Sequence, residues 1–536
     1  MSVPNVLLIT AEDLSPRIGA FGDAVAHTPN LDQLASQGTR YTNTFTAAGV
    51  CAPSRAAQIL SMYAFATNTQ HMRSSGAGYA GVPPSHVKAY PELLRAAGHH
   101  TYNAGKTDYQ MDDNPITGGP FTIWDHNGAN ESDWPVDLEE GRAWFGMVNH
   151  AVTHESGVFA PLGSWPHSAT HFVMQVIRAF GMRNDPPPPV TTDPATVVLP
   201  PYFADAPAMR ADLAQHYDNI ALMDAQVGTL LAELEASGQA DSTIVIWTTD
   251  HGDGLPRAKR ELYDSGLKVP MIVRYPDAFR PEGATPGSVD DRLVSFVDLG
   301  PQILEWMGVP IPEHVHGQPF ARLDAPKREY IYAHRDRIDQ VPDRQRAVRD
   351  ARFKYIRSWH PETPGGHVLA FRDNQKGVRE LRELYHAGKL NPEQRLWFEP
   401  VARERLYDTQ VDPYELRNLA SDPAHAATLE RLRAALDALL ETTPDSSAMD
   451  EAELAESMWP GGEQPKTAAP SFTLTGERVA ITSPTEGASI GYRTNGEPGW
   501  RLYTGAFEAE SGSALEAKAV RYGWEESASV AYDVRR

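Results

Sequence analysis

The sequence predicts an α/β fold with a doubly wound, mainly parallel sheet, followed by a smaller antiparallel α+β subdomain and an all-β module. Three observations lead to this prediction. Short apolar runs such as residues 6–9 alternate with amphipathic helical patterns, which is typical of strands covered by helices on both faces. From about residue 330, shorter strand patterns follow one another and a helix closes them. After residue 470, strand patterns are separated by turns such as Asn495-Gly496.

The elements of the first part can be assigned in chain order. Residues 6–9 form a continuous apolar strand, and a helix follows that is opened by Pro29 and closed by Gly38. The longest helix has apolar residues recurring on one face and ends at Gly238. The predicted strands are residues 6–9, 100–104, 144–148, 243–247 and 269–275, and the predicted helices are residues 30–37, 90–97 and 208–237.

The second half of the chain is predicted to contain three further parts. Strands at residues 328–334 and 351–359 and a helix at residues 422–442 indicate the antiparallel subdomain. A stretch rich in Glu, Ser, Pro and Gly is typical of a linker. The predicted boundaries are therefore 1–325 for the α/β domain, 326–445 for the subdomain, 446–470 for the linker, and 471–536 for a β-sandwich-like accessory domain.

Composition excludes several functional classes. The chain has 536 residues with 41% apolar and 22% charged residues, an ordinary globular balance. Its formal net charge of −22 argues against nucleic-acid binding, although a local basic pocket can still bind an anion. The sequence contains no run of about eighteen apolar residues, so no membrane-spanning helix is predicted. No signal-peptide pattern is visible, and the compartment stays open: cytoplasmic for the sequence as it stands, or periplasmic if a signal has been removed. The oligomeric state is not indicated.

Polar clusters follow several of the predicted strands. Glu12-Asp13, Lys106, His154 and Asp250-His251 each come shortly after a strand. In doubly wound sheets, ligands bind at the carboxyl ends of the strands, so these side chains are predicted to form one site. Clustered carboxylates are the ligands that hard divalent cations prefer. His251 is either a further ligand or a hydrogen-bond donor to an anion.

Cys51 is the only cysteine of the chain. A lone cysteine is either a small buried apolar residue or a reactive thiol, and it forms no intramolecular disulfide. A helix is predicted at residues 54–60, which puts Cys51 at or just before a helix N-terminus. Free N–H groups and the helix dipole there favour a thiolate or an anionic ligand, and Arg55 adds a fixed positive charge.

The segment Cys51-Ala52-Pro53-Ser54-Arg55 resembles the Cys-x-Pro-Ser-Arg signature of the type I sulfatases, which are members of the alkaline phosphatase superfamily. The resemblance extends over residues 3–440, although Leu60-Ser61-Met62 stands where the family usually has Leu-Thr-Gly. Lys106-Thr107-Asp108-Tyr109 is most similar to the sulfamidase-like, carbohydrate-acting branch. The C-terminal phrases Tyr492-Arg493-Thr494 and Ala517-Lys518-Ala519-Val520 resemble the accessory β domain found at the end of chitobiases and hexosaminidases.

The resemblance implies two cofactors. In this family a formylglycine-generating maturation enzyme oxidises the cysteine, so Cys51 would become formylglycine, whose hydrate attacks sulfur and then expels sulfate. One divalent cation, usually calcium, would be bound by Glu12, Asp13, Asp250, His251 and the modified Cys51. Glu12 and His251 depart from the family's more common Asp and Asn.

The resemblance also implies a sulfate pocket. Lys106 and Lys259 match the sulfate-binding lysines, and His154 matches the histidine that protonates or orients the leaving-group oxygen. Asp108 stands where many sulfatases have a histidine, and it could act as the base instead. His71 and Arg73 either bind a sugar substituent or lie on the surface. Trp124, Trp134 and Trp165 either stack on sugars or pack within loops.

We therefore expect hydrolysis of a sulfate ester or sulfamate on a saccharide, with Cys51, Arg55, Lys106, Asp108, His154, His251 and Lys259 taking part in catalysis. Two other functions are compatible with the sequence. Phosphonate monoester and phosphate diester hydrolases share the fold implied by the resemblance. A non-catalytic glycan-binding protein is the alternative outside the enzymes, and the β module is compatible with it.

Overall fold

A computed structural model describes residues 3–112, 114, 117–129, 141–181 and 191–535. Its centre is an eight-stranded sheet in which seven strands run in the same direction and one runs opposite to them. The strands are β1 (Asn5–Ala11), β2 (Thr39–Phe45), β3 (His100–Ala104), β4 (His126–Gly128), β5 (Trp144–His150), β6 (Thr243–Thr249), β7 (Lys268–Arg274) and β8 (Ser288–Ser295). Their order is β4-β3-β5-β1-β6-β7-β2-β8, and β7 is the reversed strand.

Helices cover both faces of this sheet. They are α1 (Pro29–Gln37), α2 (Cys51–Leu60), α3 (Tyr90–Ala96), α4 (Ser156–Phe159), α5 (Ala169–Gly181), α6 (Pro207–Ala236), α7 (Asp264–Leu267) and α8 (Leu299–Trp306). Leu7 and Ile9 of β1 pack with α1 and α6, whereas Val6 and Leu8 pack with α2, α3 and α8. Because successive side chains of a strand point to opposite faces, β1, which is buried from Val6 to Ala11, separates two cores. The predicted doubly wound, mainly parallel fold is confirmed.

A second, antiparallel sheet follows the α/β part. It contains β9 (Ile331–Arg335), β10 (Gln345–Arg349), β11 (Phe353–Ser358) and β12 (Glu404–Asp408). Helices α9 (Lys376–His386) and α10 (Pro392–Arg395) lie between the last two strands, and α11 (Ala426–Thr442) packs on the sheet through Leu432 and Leu436. Both strands predicted in this region are present, at Ile331–Arg335 and Phe353–Ser358.

The segment expected to be a linker, residues 446–470, differs from that expectation. It contains α12 (Glu451–Met458). Leu454 and Met458 of this helix pack with Tyr79, and Glu451 accepts two hydrogen bonds from the guanidinium of Arg337. The composition of the whole segment concealed this short helix, which both apolar and charged side chains anchor to the rest of the protein.

The C-terminal module consists of two antiparallel sheets around one small core. Its strands are β13 (Ser471–Thr475), β14 (Arg478–Thr482), β15 (Ser489–Thr494), β16 (Arg501–Leu502), β17 (Phe507–Glu508), β18 (Ala514–Val520) and β19 (Val530–Asp533). One sheet has the order β13-β14-β17 and the other β16-β15-β18-β19. Val479 and Ile481 of the first sheet meet Leu515 and Ala517 of the second, which is the arrangement of a sandwich. Among the described residues, no helix has the length and apolar composition needed to cross a membrane.

Candidate active site

The site lies at the carboxyl ends of the central strands. Ala11, the last residue of β1, is in register with His150 of β5 and with Thr249 of β6. The residues that follow these three strands therefore emerge at the same edge of the sheet. Glu12-Asp13, His154 and Asp250-His251 come from these strand ends, and Lys106 follows β3 in the same way.

Cys51 is the first residue of α2, three residues earlier than the helix start predicted from the sequence. Its side chain is buried, with Sγ 3.3 Å from Nε2 of His251 and 3.9 Å from Oδ1 of Asp13. Burial by itself raises the pKa of the thiol. The positive charges of Lys106 and Lys259 outweigh burial, so the pKa of Cys51 is well below its ordinary value. The position therefore favours an anionic nucleophile.

Asp13 connects the pair Glu12-Asp13, after β1, with the pair Asp250-His251, after β6. Its N–H donates to Oδ1 of Asp250 (3.0 Å), and its own Oδ1 lies 3.1 Å from Nε2 of His251. Its Oδ2 accepts from Nζ of Lys259 (2.6 Å) and from the N–H of Glu155 (2.8 Å). Asp13 has a φ of 50°, a left-handed conformation that is uncommon for a residue with a side chain and is held here by the surrounding hydrogen bonds.

The guanidinium of Arg55 contacts two carboxylates of the site, those of Asp250 and Glu12. Its Nε donates to Oδ2 of Asp250 (3.1 Å) and its Nη1 to Oδ1 of Asn149 (2.8 Å), and Nη2 lies 3.5 Å from Oε1 of Glu12. The guanidinium is 1% exposed. A buried planar cation between two carboxylates fixes both of their orientations. Arg55 is therefore placed to orient the acidic residues, rather than to contact Cys51 directly.

The donor groups fit a hard divalent cation. Oxygen or nitrogen atoms of Asp13, Asp250 and His251 and the sulfur of Cys51 lie within 4.8 Å of one another, and all four residues are buried. Two buried carboxylates that converge in this way are typical of a hard-cation site. Glu12 belongs to a second group that overlaps the first through Asp13 and also includes His154. The five predicted ligands are thus brought together, with Glu12 on the side of Lys106.

Lys106 and Asp108 form the outer wall of the site. Nζ of Lys106 donates to Oε2 of Glu12 (3.2 Å) and lies 3.5 Å from Oδ2 of Asp108. Asp108 also forms an ion pair with the guanidinium of Arg73. Burial raises the pKa of Asp108, but the charges of Arg73 and Lys106 outweigh it and keep the carboxyl ionised. The side chain of Arg73 is 35% exposed, so this ion pair lies where the site opens to solvent.

His154 and His71, the two predicted site histidines that were not predicted to bind the metal, have different surroundings. His154 is partly exposed, with Nε2 4.0 Å from Oε2 of Glu12 and Nδ1 2.9 Å from Oγ of Ser156. His71 is buried, and its Nδ1 accepts the N–H of Arg337 (3.3 Å) from the antiparallel subdomain. Burial lowers the pKa of His71. The structure thus places His154 beside the acidic residues and gives His71 a backbone partner instead of a free surface position.

Lys259 also forms an ion pair with Glu155, a residue that the sequence analysis missed. Besides Asp13, its Nζ lies 3.1 Å from Oε1 of Glu155, and the carboxylate of Glu155 also accepts two hydrogen bonds from Arg260 (2.7 and 3.0 Å). Burial raises the pKa of Glu155, but Arg260 and Lys259 lower it to about 2. Its position directly after His154 was the only signal available in the sequence.

The three tryptophans considered for sugar stacking have different environments. Trp124 is buried and stacks on Phe145 with ring centroids 5.8 Å apart, so it belongs to the core and does not bind sugar. Trp165 is 91% exposed. Trp134 lies outside the described residues. Of the two candidate tryptophans whose positions are described, Trp124 and Trp165, only Trp165 is exposed enough to contact a ligand.

Two family models match the chain. The model described as "Sulfatase" matches residues 4–309, and the one described as "N-sulphoglucosamine sulphohydrolase, C-terminal" matches residues 257–396. An ulvan-active sulfatase of Formosa agariphila is 36% identical over 98% of this chain and 91% of its own. The N-sulphoglucosamine sulphohydrolase of Homo sapiens is 28% identical over 80% of this chain and 88% of its own.

Solved structures share the fold. A 2-O GAG sulfatase superimposes with a TM-score of 0.57 at 20% identity, covering 84% of this chain and 94% of its own. The phosphonate monoester hydrolase of Agrobacterium radiobacter superimposes with a TM-score of 0.55 at 19% identity, covering 90% of this chain and all of its own. At these identities the superpositions support the architecture, and they do not distinguish between the two activities.

Proposed function

This chain belongs to the sulfatase family, and from that premise we propose that it hydrolyses sulfate esters or sulfamates carried by carbohydrates. The observation that carries the proposal is the position of Cys51. It begins α2 with Sγ in contact with His251 and near Asp13, among residues from the ends of β1 and β6. The names of the two relatives, an ulvan-active sulfatase and an N-sulphoglucosamine sulphohydrolase, support a sulfated saccharide as substrate.

Two groups complete the proposed site. We propose that a maturation enzyme converts Cys51 to formylglycine and that the bound cation is calcium, held by Asp13, Asp250, His251 and Glu12 with the modified residue 51. Formylglycine supplies the nucleophilic oxygen, and the cation supplies Lewis acidity towards a sulfate oxygen. With formylglycine in place of the Cys51 sulfur, the donor set would hold the three carboxylates of Glu12, Asp13 and Asp250 and one histidine nitrogen, which supports calcium over zinc, since zinc prefers sets dominated by nitrogen and sulfur.

The chain's own residues bind the sulfate group and move its protons. Lys106 and Lys259 are the buried cations whose charge acts on position 51, so they would neutralise the equatorial sulfate oxygens. His154 is partly exposed beside Glu12, and its proposed role is to give a proton to the leaving sugar oxygen or nitrogen. Asp108, kept ionised by Arg73 and Lys106, would accept a proton from the group at position 51.

A substrate panel tests the proposal. The protein, produced together with a formylglycine-generating enzyme, is incubated with sulfated and N-sulfated oligosaccharides, an aryl sulfate and a phosphonate monoester. Sulfate release from the saccharides should exceed phosphonate hydrolysis, and the Cys51→Ala variant should release none. Preferential hydrolysis of the phosphonate ester would contradict the proposal.

Mass spectrometry of the peptide that contains Cys51 tests the modification separately. The active protein should show oxygen in place of sulfur together with the loss of hydrogen, as an aldehyde requires. An active preparation in which Cys51 is entirely unmodified would contradict the formylglycine assignment.

A further inference from the structure

Glu155 has a buried carboxylate that no step of the proposed reaction uses. The residue is 1% exposed, directly follows His154 and is the N-cap residue immediately before α4. Burying a charge in this way is costly unless cations and hydrogen bonds compensate it. Here one carboxylate meets two cations, Nζ of Lys259 at 3.1 Å and the two terminal nitrogens of Arg260 at 2.7 and 3.0 Å.

The contacts of Glu155 tie three segments of the site together. Its backbone N–H donates to Oδ2 of Asp13, the same oxygen that accepts from Lys259. Lys259 therefore lies between two carboxylates, and its ammonium group is fixed from both sides. Through Arg260, whose N–H donates to the carbonyl of Gly49 (2.6 Å), the contacts reach the turn that leads into Cys51.

The packing around Glu155 leaves little room for it to move. A Cβ atom on Gly254 would lie 2.7 Å from Cβ of Glu155 and 2.9 Å from Oδ2 of Asp13, so only glycine permits this close approach. Arg260 has a φ of 78°, an uncommon conformation that its two-point contact with Glu155 helps to hold. The side chain is thus held by its contacts and cannot swing out towards solvent.

We infer that Glu155 is a positioning residue for the sulfatase reaction: it fixes the ammonium group of Lys259 and, through Arg260, the turn before Cys51, without contacting the substrate itself. This inference rests on the proposed function. Because both lysines remain in a Glu155 variant, the sulfate group should still bind. The alignment that the transition state needs should be lost, since small displacements of a charged group are costly there.

Kinetics of Glu155→Gln test the inference. The change keeps the length of the side chain and removes its charge. We expect kcat for a sulfated saccharide to fall about 10- to 100-fold, with KM changing less than about threefold. Glu155→Asp, which keeps the charge, should recover part of kcat. Wild-type kcat in Glu155→Gln, or a loss that appears in KM alone, would overturn the inference.

A matched control separates positioning from stability. Glu415 is also a buried carboxylate with a lysine partner, Lys354 at 2.7 Å, in the antiparallel subdomain. Glu415→Gln removes the charge of an equally buried carboxylate away from the site, so it should leave kcat per folded molecule unchanged whatever its effect on the temperature of thermal unfolding. Equal losses of kcat in the two variants would mean that Glu155 acts only through stability.

Crystal structures of the wild type and of Glu155→Gln provide a readout that does not depend on activity. We expect Nζ of Lys259 to leave its position between residue 155 and Asp13. If the wild type releases no sulfate from any substrate, the proposed function fails, and the position of Lys259 still decides whether Glu155 places it. An unmoved Lys259 and an unmoved Arg260 would overturn the inference.

Discussion

At the scale of single residues, His154 has the exposure and the contacts of a proton donor to the leaving group. Its side chain is 18% exposed, whereas Glu12 beside it is 1% exposed. Nδ1 pairs with Oγ of Ser156, which leaves Nε2 on the side of the acidic residues and the site opening. A general acid usually has one imidazole nitrogen fixed by a hydrogen bond, so that the other nitrogen points towards the leaving group.

The His154→Ala variant should therefore discriminate between leaving groups. A sugar hydroxyl or amine is a poor leaving group and needs a proton, so we expect kcat to fall about 10²- to 10⁴-fold on a sulfated saccharide. An aryl sulfate with an acidic phenol needs little protonation, and its hydrolysis should fall much less. Measuring kcat for both substrates with wild type and variant checks this. Equal losses on both would contradict the role and indicate that His154 only binds sulfate.

The residues of the site were predictable where local sequence order positions them. Asp13 and Asp250 follow strands of one sheet, so the parallel topology alone brings them together. Glu155 and Arg260 were missed because their pairing joins positions 105 residues apart, and no local pattern specifies it. His71 follows Cys51 by only twenty residues in the sequence. In the fold its imidazole accepts a hydrogen bond from the backbone of Arg337, which belongs to the antiparallel subdomain.

At the scale of elements, the contact between α6 and α9 contains a carboxyl group with an unusual pKa. Asp212 of α6 is 5% exposed and accepts the N–H of Gly377 from α9 (2.6 Å). Burial raises the pKa of Asp212 from 3.8 to about 7, and the single hydrogen bond offsets only part of this effect. The ionised carboxylate is therefore unfavourable at this helix contact.

The Asp212→Asn variant should reveal this cost. Between pH 4 and pH 7 the folded protein keeps a proton that the unfolded chain has lost, so the free energy of unfolding falls as the pH rises through this window. The cost is complete above pH 7 and amounts to at most about 4 kcal/mol. Asparagine keeps an acceptor for Gly377 and cannot ionise. We expect higher thermal stability than wild type at pH 8, with a difference that shrinks towards pH 4. Parallel pH profiles of the two proteins would contradict this.

The elements differ in how far their sequences specify them. Strands β1 and β6 each contain a continuous apolar run, residues 6–9 and 244–247, and α6 has apolar residues at helical spacing. Burial of these residues dictates both the type and the position of the three elements. Helix α12 was missed because it is only eight residues long and lies in a stretch rich in Glu, Ser, Pro and Gly. It is stabilised by distant partners, since Glu451 pairs with Arg337 and Met458 packs near Tyr79. Such contacts appear only once the subdomains are in place.

At the scale of the whole molecule, the β module is docked on the α/β domain and shares its core. Tyr522 has no exposed surface and packs in the core that contains Val6 and Leu8. Its hydroxyl donates to Oε2 of the buried Glu92 (2.8 Å), while Oγ of Ser489 donates to Oε1 (2.5 Å). A module tethered by a flexible linker would not bury an aromatic side chain in the core of its neighbour.

The Tyr522→Ala variant should therefore destabilise the entire protein. Removing a fully buried aromatic ring leaves a cavity and costs about 3–5 kcal/mol, whereas Tyr522→Phe removes only the hydroxyl and costs about 1–2 kcal/mol. Chemical denaturation followed by tryptophan fluorescence and by far-UV circular dichroism checks this. The exposed Trp165→Ala variant, whose ring is 91% exposed, serves as the control and should unfold like wild type.

The number of unfolding transitions then decides whether the module belongs to the same cooperative unit. Shared burial of Tyr522 and the contacts of Glu92 with two residues of the module couple its unfolding to that of the α/β domain. In wild type and in Tyr522→Phe, the two probes should therefore give one coincident transition. The contrary result is two separate transitions in the wild type, of which Tyr522→Ala shifts only the smaller one. The module would then fold independently, and its docking would contribute little to the stability of the catalytic domain.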